Sequence, residues 1–198
     1  MPKEKLNILE STCIPLPFEN VDTDQIIPAR FLSATSREGF GENLFRDWRY
    51  DKSGNKNMDF VLNSNKYSGK ILVAGKNFGS GSSREHAVWA IYDYGFRVVV
   101  SSFFADIFKN NSLNNGLLPV VVQEKFLQGL LNHIQRNHEL KVRIDLEKQL
   151  LTVLPAEESI EFEINPYKKE CMLKGLDDID YLIGIKDLII SFETKQKQ

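Results

Sequence analysis

The sequence predicts an α/β fold with a mostly parallel central sheet, followed by a C-terminal antiparallel hairpin and helices. Between residues 71 and 137, short apolar runs of strand length alternate with stretches whose apolar residues recur at helical spacing. That order is typical of a parallel sheet covered by helices. From residue 140 onward, apolar and polar residues alternate, which is typical of antiparallel strands with one solvated face.

The part of the chain before residue 66 is predicted to be less regular. Pro15 and Pro17 interrupt the apolar pieces between residues 6 and 19, which predicts an edge strand and a turn rather than a central strand. Residues 31–65 show no clear period. Within them, Phe31–Phe45 combines glycines with apolar residues and predicts either a loop over an apolar ligand or a contribution to the core.

The later elements follow from periodicity and from helix start and stop signals. Strands are predicted at 71–74, 96–100, 117–122, 140–146, 150–154 and 160–164, and helices at 87–94, 102–115 and 124–137. Pro166 is predicted to open a further helix that Gly175 ends, and Asp177 to begin a final helix before a polar end at 194–198. With no repeat and no linker in the sequence, residues 1–198 are expected to form one domain.

Composition argues against several classes of protein. The chain has 198 residues, with 25 basic and 27 acidic side chains, so its formal net charge is −2. This balance suggests neither a nucleic-acid nor a membrane-surface partner. No apolar run is long enough to span a membrane, and the start of the chain lacks an apolar signal region, so a cytoplasmic protein is expected.

The cysteines and histidines do not form a metal-binding pattern. Cys13 and Cys171 lie far apart and make no CxxC motif, and the three histidines have no ligand spacing. The sequence therefore predicts no metal site in this chain and two reduced thiols.

The polar stretch Gly75–Ala87 lies between a predicted strand and a predicted helix. Gly79 and Gly81 would permit positive φ and a close approach of a ligand to the backbone. The spacing of Ser82 and Glu85 has the form of a capping box, which predicts Ser82 at the helix N-cap.

Free N–H groups in the first helical turn would favour an anion, and Ser83 and Arg84 would add two side-chain donors. The stretch is therefore interpreted as a binding corner for a carboxylate or a phosphate. A simpler reading is that Ser82 and Glu85 only cap a helix. A nucleotide is disfavoured, because Arg84 replaces the third glycine of a dinucleotide motif and no Gly-Lys-Ser/Thr follows.

Two segments, Asn77–Ala87 and Asn20–Pro28, resemble the signatures of the swivelling domain of the aconitase superfamily. Tyr94–Val99 and Phe104–Phe108 extend the resemblance. It is closest to the small subunits of 3-isopropylmalate dehydratases and covers nearly the whole chain. The resemblance implies a three-layer β/β/α swivelling fold.

The resemblance also implies a reaction and roles for four residues. A hydroxyl moves between neighbouring carbons of isopropylmalate by loss and re-addition of water, as in leucine biosynthesis. Ser82 would be the base, as an alkoxide that a helix N-terminus favours. Arg84 and Ser83 would bind a substrate carboxylate. Asp24 would lie in the active site without a defined role, and the roles of Arg30 and His86 are left open.

A missing electrophile implies a partner. The family uses an iron of a [4Fe–4S] cluster to take the hydroxyl, and such clusters are normally held by cysteine thiolates. Two separated cysteines are too few, so a large subunit is expected to carry the cluster. Two alternatives stay open: a homoaconitate or methylmalate-type hydro-lyase, and an anion-binding module without turnover.

Overall fold

The structure, a computed structural model, describes residues 4–33, 37–82 and 84–196. Its strands are β1 (Ile8–Leu16), β2 (Ile71–Ala74), β3 (Val98–Ser101), β4 (Leu118–Val121), β5 (Lys141–Asp145), β6 (Leu150–Val153) and β7 (Glu158–Glu161). Its α-helices are α1 (Thr23–Ile26), α2 (Arg46–Arg49), α3 (Glu85–Asp93), α4 (Asp106–Asn114), α5 (Glu124–Arg136), α6 (Pro166–Lys174), α7 (Asp178–Gly184) and α8 (Lys186–Gln196). Short 3₁₀ turns lie at Ala29–Phe31, Phe40–Asn43 and Val61–Asn63.

The seven strands form one mixed sheet in the order β4-β3-β2-β1-β5-β6-β7. Strands β1 to β4 pair in parallel, and β1, β5, β6 and β7 pair antiparallel. The predicted α/β class, with a parallel part and a C-terminal antiparallel part, is confirmed. The last strand lies slightly earlier in the chain than the predicted 160–164.

The prediction of an edge position for the first strand is wrong, because β1 lies in the middle of the sheet. Its antiparallel pairing with β5 runs only from Ile8 to Thr12, whereas its parallel pairing with β2 runs from Cys13 to Leu16. Pro15 and Pro17 therefore lie beyond the end of the β5 pairing, where β1 needs fewer backbone donors.

Both faces of the parallel part of the sheet are buried. Along β2, Ile71 and Val73 belong to one apolar cluster, whereas Leu72 and Ala74 belong to the other. The apolar side of α5 packs into the first cluster, and that of α3 packs into the second. Burial on both faces explains why β2 is a continuous apolar run rather than an alternating one.

The C-terminal helices follow the predicted signals in part. Pro166 opens α6, and Gly175 ends it in a left-handed conformation, as predicted. The single final helix is instead two helices that meet at Ile185, and α8 continues to Gln196 rather than giving way to a polar end. The Thr194 hydroxyl donates to the Ile190 carbonyl at 2.8 Å, which satisfies one carbonyl of this last turn.

Both cysteines are buried free thiols. Cys13 lies in β1, and burial raises its pKa to about 12, while Cys171 lies in α6. Within the described ranges, no group of three or more His, Cys, Asp or Glu side chains is placed to hold a metal ion. None of the helices in those ranges has the length and apolar character needed to cross a membrane.

Candidate active site

The loop after β2 lies at the carboxyl ends of the parallel strands, the edge where ligands bind in open α/β sheets. Segments that follow β1 and β3 border it. The Gly75 carbonyl accepts a hydrogen bond from the buried Ser101 hydroxyl at 2.7 Å, which ties the start of the loop to the end of β3. The sheet thus fixes the position of the loop.

The two signature segments of the sequence are joined by hydrogen bonds. Backbone N–H groups donate from Asn20 to the Lys76 carbonyl (2.8 Å), from Gly79 to the Val21 carbonyl (2.8 Å) and from Thr23 to the Ser80 carbonyl (2.9 Å). The Asn77 side-chain amide also donates to the Asn20 side-chain oxygen at 2.8 Å. Segments more than fifty residues apart therefore form one unit at this edge.

Thr23 is a site residue that the sequence interpretation missed. Its side chain is buried, and its hydroxyl donates to the Ser82 carbonyl at 3.0 Å. The bond holds the backbone of Ser82 against α1. The signal available in the sequence was a hydroxyl residue between two aspartates of the same signature segment, Asp22 and Asp24.

The prediction that Ser82 caps the helix is wrong. Helix α3 begins at Glu85, and Arg84 occupies the N-cap position without a side-chain capping bond in the described part of the chain. The Glu85 carboxylate instead accepts from the Asn115 amide at 2.8 Å and lies 3.7 Å from Arg37. Since the helix begins at Glu85 and Asn115 engages the Glu85 carboxylate, the capping box between Ser82 and Glu85 does not form.

Arg84 and Asp24 form an ion pair between the two signature segments. The Arg84 side chain is only 16% exposed, whereas that of Asp24 is 55% exposed. Asp24 lies in the first turn of α1, whose N-terminus is closed by a capping box between Asp22 and Gln25. A short capped helix therefore presents Asp24 to the guanidinium.

The structure thus brings together Asp24, Arg84 and Ser82, three of the four predicted site residues. Ser82 is exposed at the tip of the loop, two residues before Arg84. The fourth, Ser83, lies outside the described residues.

The two glycines of the loop have different neighbours. Both have the predicted positive φ, +77° for Gly79 and +91° for Gly81. A Cβ on Gly79 would lie 2.2 Å from Cγ of Phe108, so this glycine is required by core packing rather than by a ligand. At Gly81 the nearest atom, Cβ of Asp22, would be 3.4 Å away.

We call residues 75–84, between β2 and α3, the Ser82 loop. Arg30 and His86, the two residues with open roles, have contacts outside it. Arg30 forms an ion pair with Asp47, and hydrogen bonding to that guanidinium lowers the pKa of the Asp47 carboxyl. The ring of His86 packs against Trp89, with centroids 4.5 Å apart.

The loop that was predicted either to cover an apolar ligand or to join the core contributes mainly to the core. Phe40, Leu44 and Phe45 are buried, and Trp48 stacks on Phe45 with centroids 5.3 Å apart. The buried Arg49 donates from Nη1 to three carbonyl oxygens of the loop, at 3.3 to 3.5 Å. Phe31 and Leu32 remain partly exposed in this stretch.

Comparisons with known proteins identify relatives of this chain. The profile of the aconitase C-terminal domain family matches residues 3–125. The 3-isopropylmalate dehydratase small subunit of Christiangramia forsetii is 59% identical over 194 residues, covering 98% of this chain and 95% of the relative. That of Cytophaga hutchinsonii is 56% identical over 194 residues, covering 98% and 96%. The crystal structure of 3-isopropylmalate dehydratase from Methanocaldococcus jannaschii gives a TM-score of 0.66 at 28% identity, over 94% of this chain and 99% of that one.

Proposed function

Since this chain belongs to the aconitase C-terminal domain family, and within it to the 3-isopropylmalate dehydratase small subunits, we propose that its Ser82 loop is one half of a dehydratase active site. The chain is the small component of a hydro-lyase that works with a large subunit in leucine biosynthesis. The reaction interconverts 2- and 3-isopropylmalate by dehydration and rehydration. The observation that carries the proposal is the joining of the two signature segments, which places Ser82, Arg84 and Asp24 at one edge of the sheet.

Ser82 is the proposed base, which takes the proton from the carbon beside a substrate carboxylate. Thr23 fixes its backbone, whereas its side chain is exposed. In water, a serine hydroxyl is too weak an acid to lose its proton at neutral pH and form the alkoxide that would act as the base. Nearby cationic and N–H donors stabilise an alkoxide far better once water is excluded. Ser82 therefore needs a partner that covers the loop.

Arg84 is the proposed carboxylate ligand. A guanidinium has five N–H donors in a planar fork, so it can hold Asp24 and still offer donors to a substrate carboxylate. Low exposure limits the conformations open to its side chain. We assign Asp24 the role of orienting Arg84, and Ser83 that of an additional donor to the same substrate group.

The chain's own cysteines do not suit an iron–sulfur cluster. Cluster ligands are thiolates, and Cys13 is a core thiol whose pKa is raised by burial, while Cys171 is buried in α6. We therefore propose that a [4Fe–4S] cluster on the large subunit, when bound, supplies the Lewis acid for the departing hydroxyl.

Two wider features belong to the proposal. Residues 1–198 would act as one swivelling domain, since β5 pairs with the central strand β1 and so joins the C-terminal part to the sheet. A cytoplasmic location is supported by the two free thiols, which are typical of a reducing compartment.

We expect the chain to be inactive alone and active with its large subunit. The test is anaerobic iron–sulfur reconstitution of each purified chain, followed by assays of each chain and of the mixture with 2-isopropylmalate. The same mixture is assayed with homoaconitate and a methylmalate, so that the alternative substrates are compared directly.

Turnover only in the mixture, with 2-isopropylmalate preferred, supports the assignment. Stoichiometric iron and turnover in the lone chain would contradict it. A reconstituted mixture that binds these anions without turnover would favour the anion-binding module.

Arg84→Lys is expected to raise KM for 2-isopropylmalate about tenfold or more, because a charge-assisted hydrogen bond contributes roughly 1.5–3 kcal/mol. Lysine keeps the charge but loses the fork that holds Asp24 and a substrate carboxylate together. The measurement is steady-state kinetics of the reconstituted pair. Arg143→Lys, at an exposed ion pair between Arg143 of β5 and Glu10 of β1, is the matched control and should leave KM unchanged. Equal KM values for the two variants would argue against the carboxylate role.

A further inference from the structure

Three large apolar side chains remain about half exposed around the Ser82 loop. They are Phe18 (51%), Phe103 (50%) and Ile107 (50%), and we name them the docking edge. Phe18 follows β1, Phe103 follows β3, and Ile107 lies in the first turn of α4. All three therefore belong to segments at the carboxyl edge of the parallel strands, where Ser82 lies.

Direct contacts connect the docking edge to the Ser82 loop. The Phe103 carbonyl accepts from the Phe78 N–H at 3.2 Å. The backbone at Phe18 is so close to Gly75 that a Cβ there would lie 2.4 Å from the Phe18 carbonyl oxygen. The neighbour of Ile107, Phe108, packs directly over Gly79. Core packing thus fixes the backbone that carries these exposed side chains.

From this placement we infer that the docking edge is the surface on which the large subunit binds, an inference that rests on the proposed function. Substrate must lie between Ser82 and Arg84 on this chain and the electrophile on the partner, so the partner has to approach this edge. A stable protein interface buries about 800 Å² on each partner, which is far more than one loop provides. Exposed aromatic and aliphatic side chains beside the loop are the type that anchors such an interface.

A second apolar surface lies on α7 and α8. Its most exposed apolar side chains are Ile179, Leu182, Ile183, Leu188, Ile190 and Phe192. Helix α7 packs back against the start of α6, where the Tyr167 hydroxyl donates to the Asp178 carboxylate at 2.7 Å. The direct backbone contacts of the docking edge with the Ser82 loop favour the docking edge over this surface.

The test compares binding of the purified large subunit by the unsubstituted chain and by the double variant Phe103→Ser/Ile107→Ser. Ile8→Ser, at the amino end of β1, removes a side chain that is 61% exposed and serves as the matched control. Leu188→Ser probes the α8 surface. Calorimetry gives Kd, and circular dichroism checks that each variant is folded. We expect Kd of the double variant to rise about tenfold or more, and that of Ile8→Ser and Leu188→Ser to change less than about twofold.

The single variants Phe103→Ser and Ile107→Ser, each with a smaller rise in Kd, replace the double variant if it fails to fold. A folded double variant with unchanged Kd overturns the inference, as does an effect confined to Leu188→Ser. Turnover by the unsubstituted pair is assayed separately. If the subunits bind through the docking edge but show no turnover, only the proposed function is refuted. If the pair is active and substitutions in the docking edge leave Kd unchanged, only this inference is refuted.

Discussion

Ser82→Ala is expected to lower kcat of the reconstituted pair about a hundredfold or more while leaving assembly intact. General-base catalysis typically contributes at least this factor, and no other described hydroxyl is placed at the exposed tip of the loop beside Arg84. The fold should persist because the bond from Thr23 is to the backbone carbonyl of Ser82, which alanine retains. The measurements are steady-state kinetics and Kd for the large subunit.

Ser80→Ala is the matched control for the base. Ser80 lies in the same loop, but it takes part in the structure through backbone bonds to Val21 and Thr23, which alanine also makes. Its kcat should stay within about threefold of the unsubstituted pair. If Ser82→Ala keeps a rate within about tenfold of the unsubstituted pair, Ser82 is not the base.

Gly79→Ala is expected to lower the free energy of unfolding by roughly 2–5 kcal/mol. A left-handed backbone costs an L-residue roughly 1–2 kcal/mol, and overpacking a core adds about 1–3 kcal/mol. Both costs apply here, since φ is +77° and the new methyl group would lie 2.2 Å from Phe108. Urea denaturation of the lone chain measures the change.

Gly39→Ala separates the backbone cost from the packing cost. Its φ of +73° is nearly the same, but a Cβ there would meet no described atom within 4 Å. It should therefore lose only about 1–2 kcal/mol. Equal losses in the two variants would show that Phe108 moves aside at little cost, and the packing account of Gly79 would be wrong.

The strand-to-helix turn that carries the candidate site was predictable because strong local patterns surround it. The apolar run before Gly75 and the helical spacing after Ala87 indicated a strand-to-helix turn, which the structure confirms. The two signature segments resembled a known family, and the comparisons confirm that family. The roles of Ser82, Ser83, Arg84 and Asp24 stay predictions, which the experiments above test.

The Ser82 cap shows where local reasoning fails. A serine three residues before a glutamate can form a capping box only if both side chains are free. Here Asn115 and Arg37 engage Glu85, and both lie far from it in sequence. The central place of β1 was missed for a similar reason, because the prolines are tolerated only where β5 ends.

The sequence by itself determined the α/β class, the glycine-rich turn and the family, since these depend on periodicity and on residues close together in the chain. Only the tertiary structure decided that Asp24 pairs with Arg84, that Thr23 holds Ser82, and that Gly79 makes room for Phe108. Each of these contacts joins residues whose distance depends on how β1, β2 and α4 assemble. Such contacts form only when the sheet brings its carboxyl-terminal loops to one edge, and local patterns carry no information on that distance.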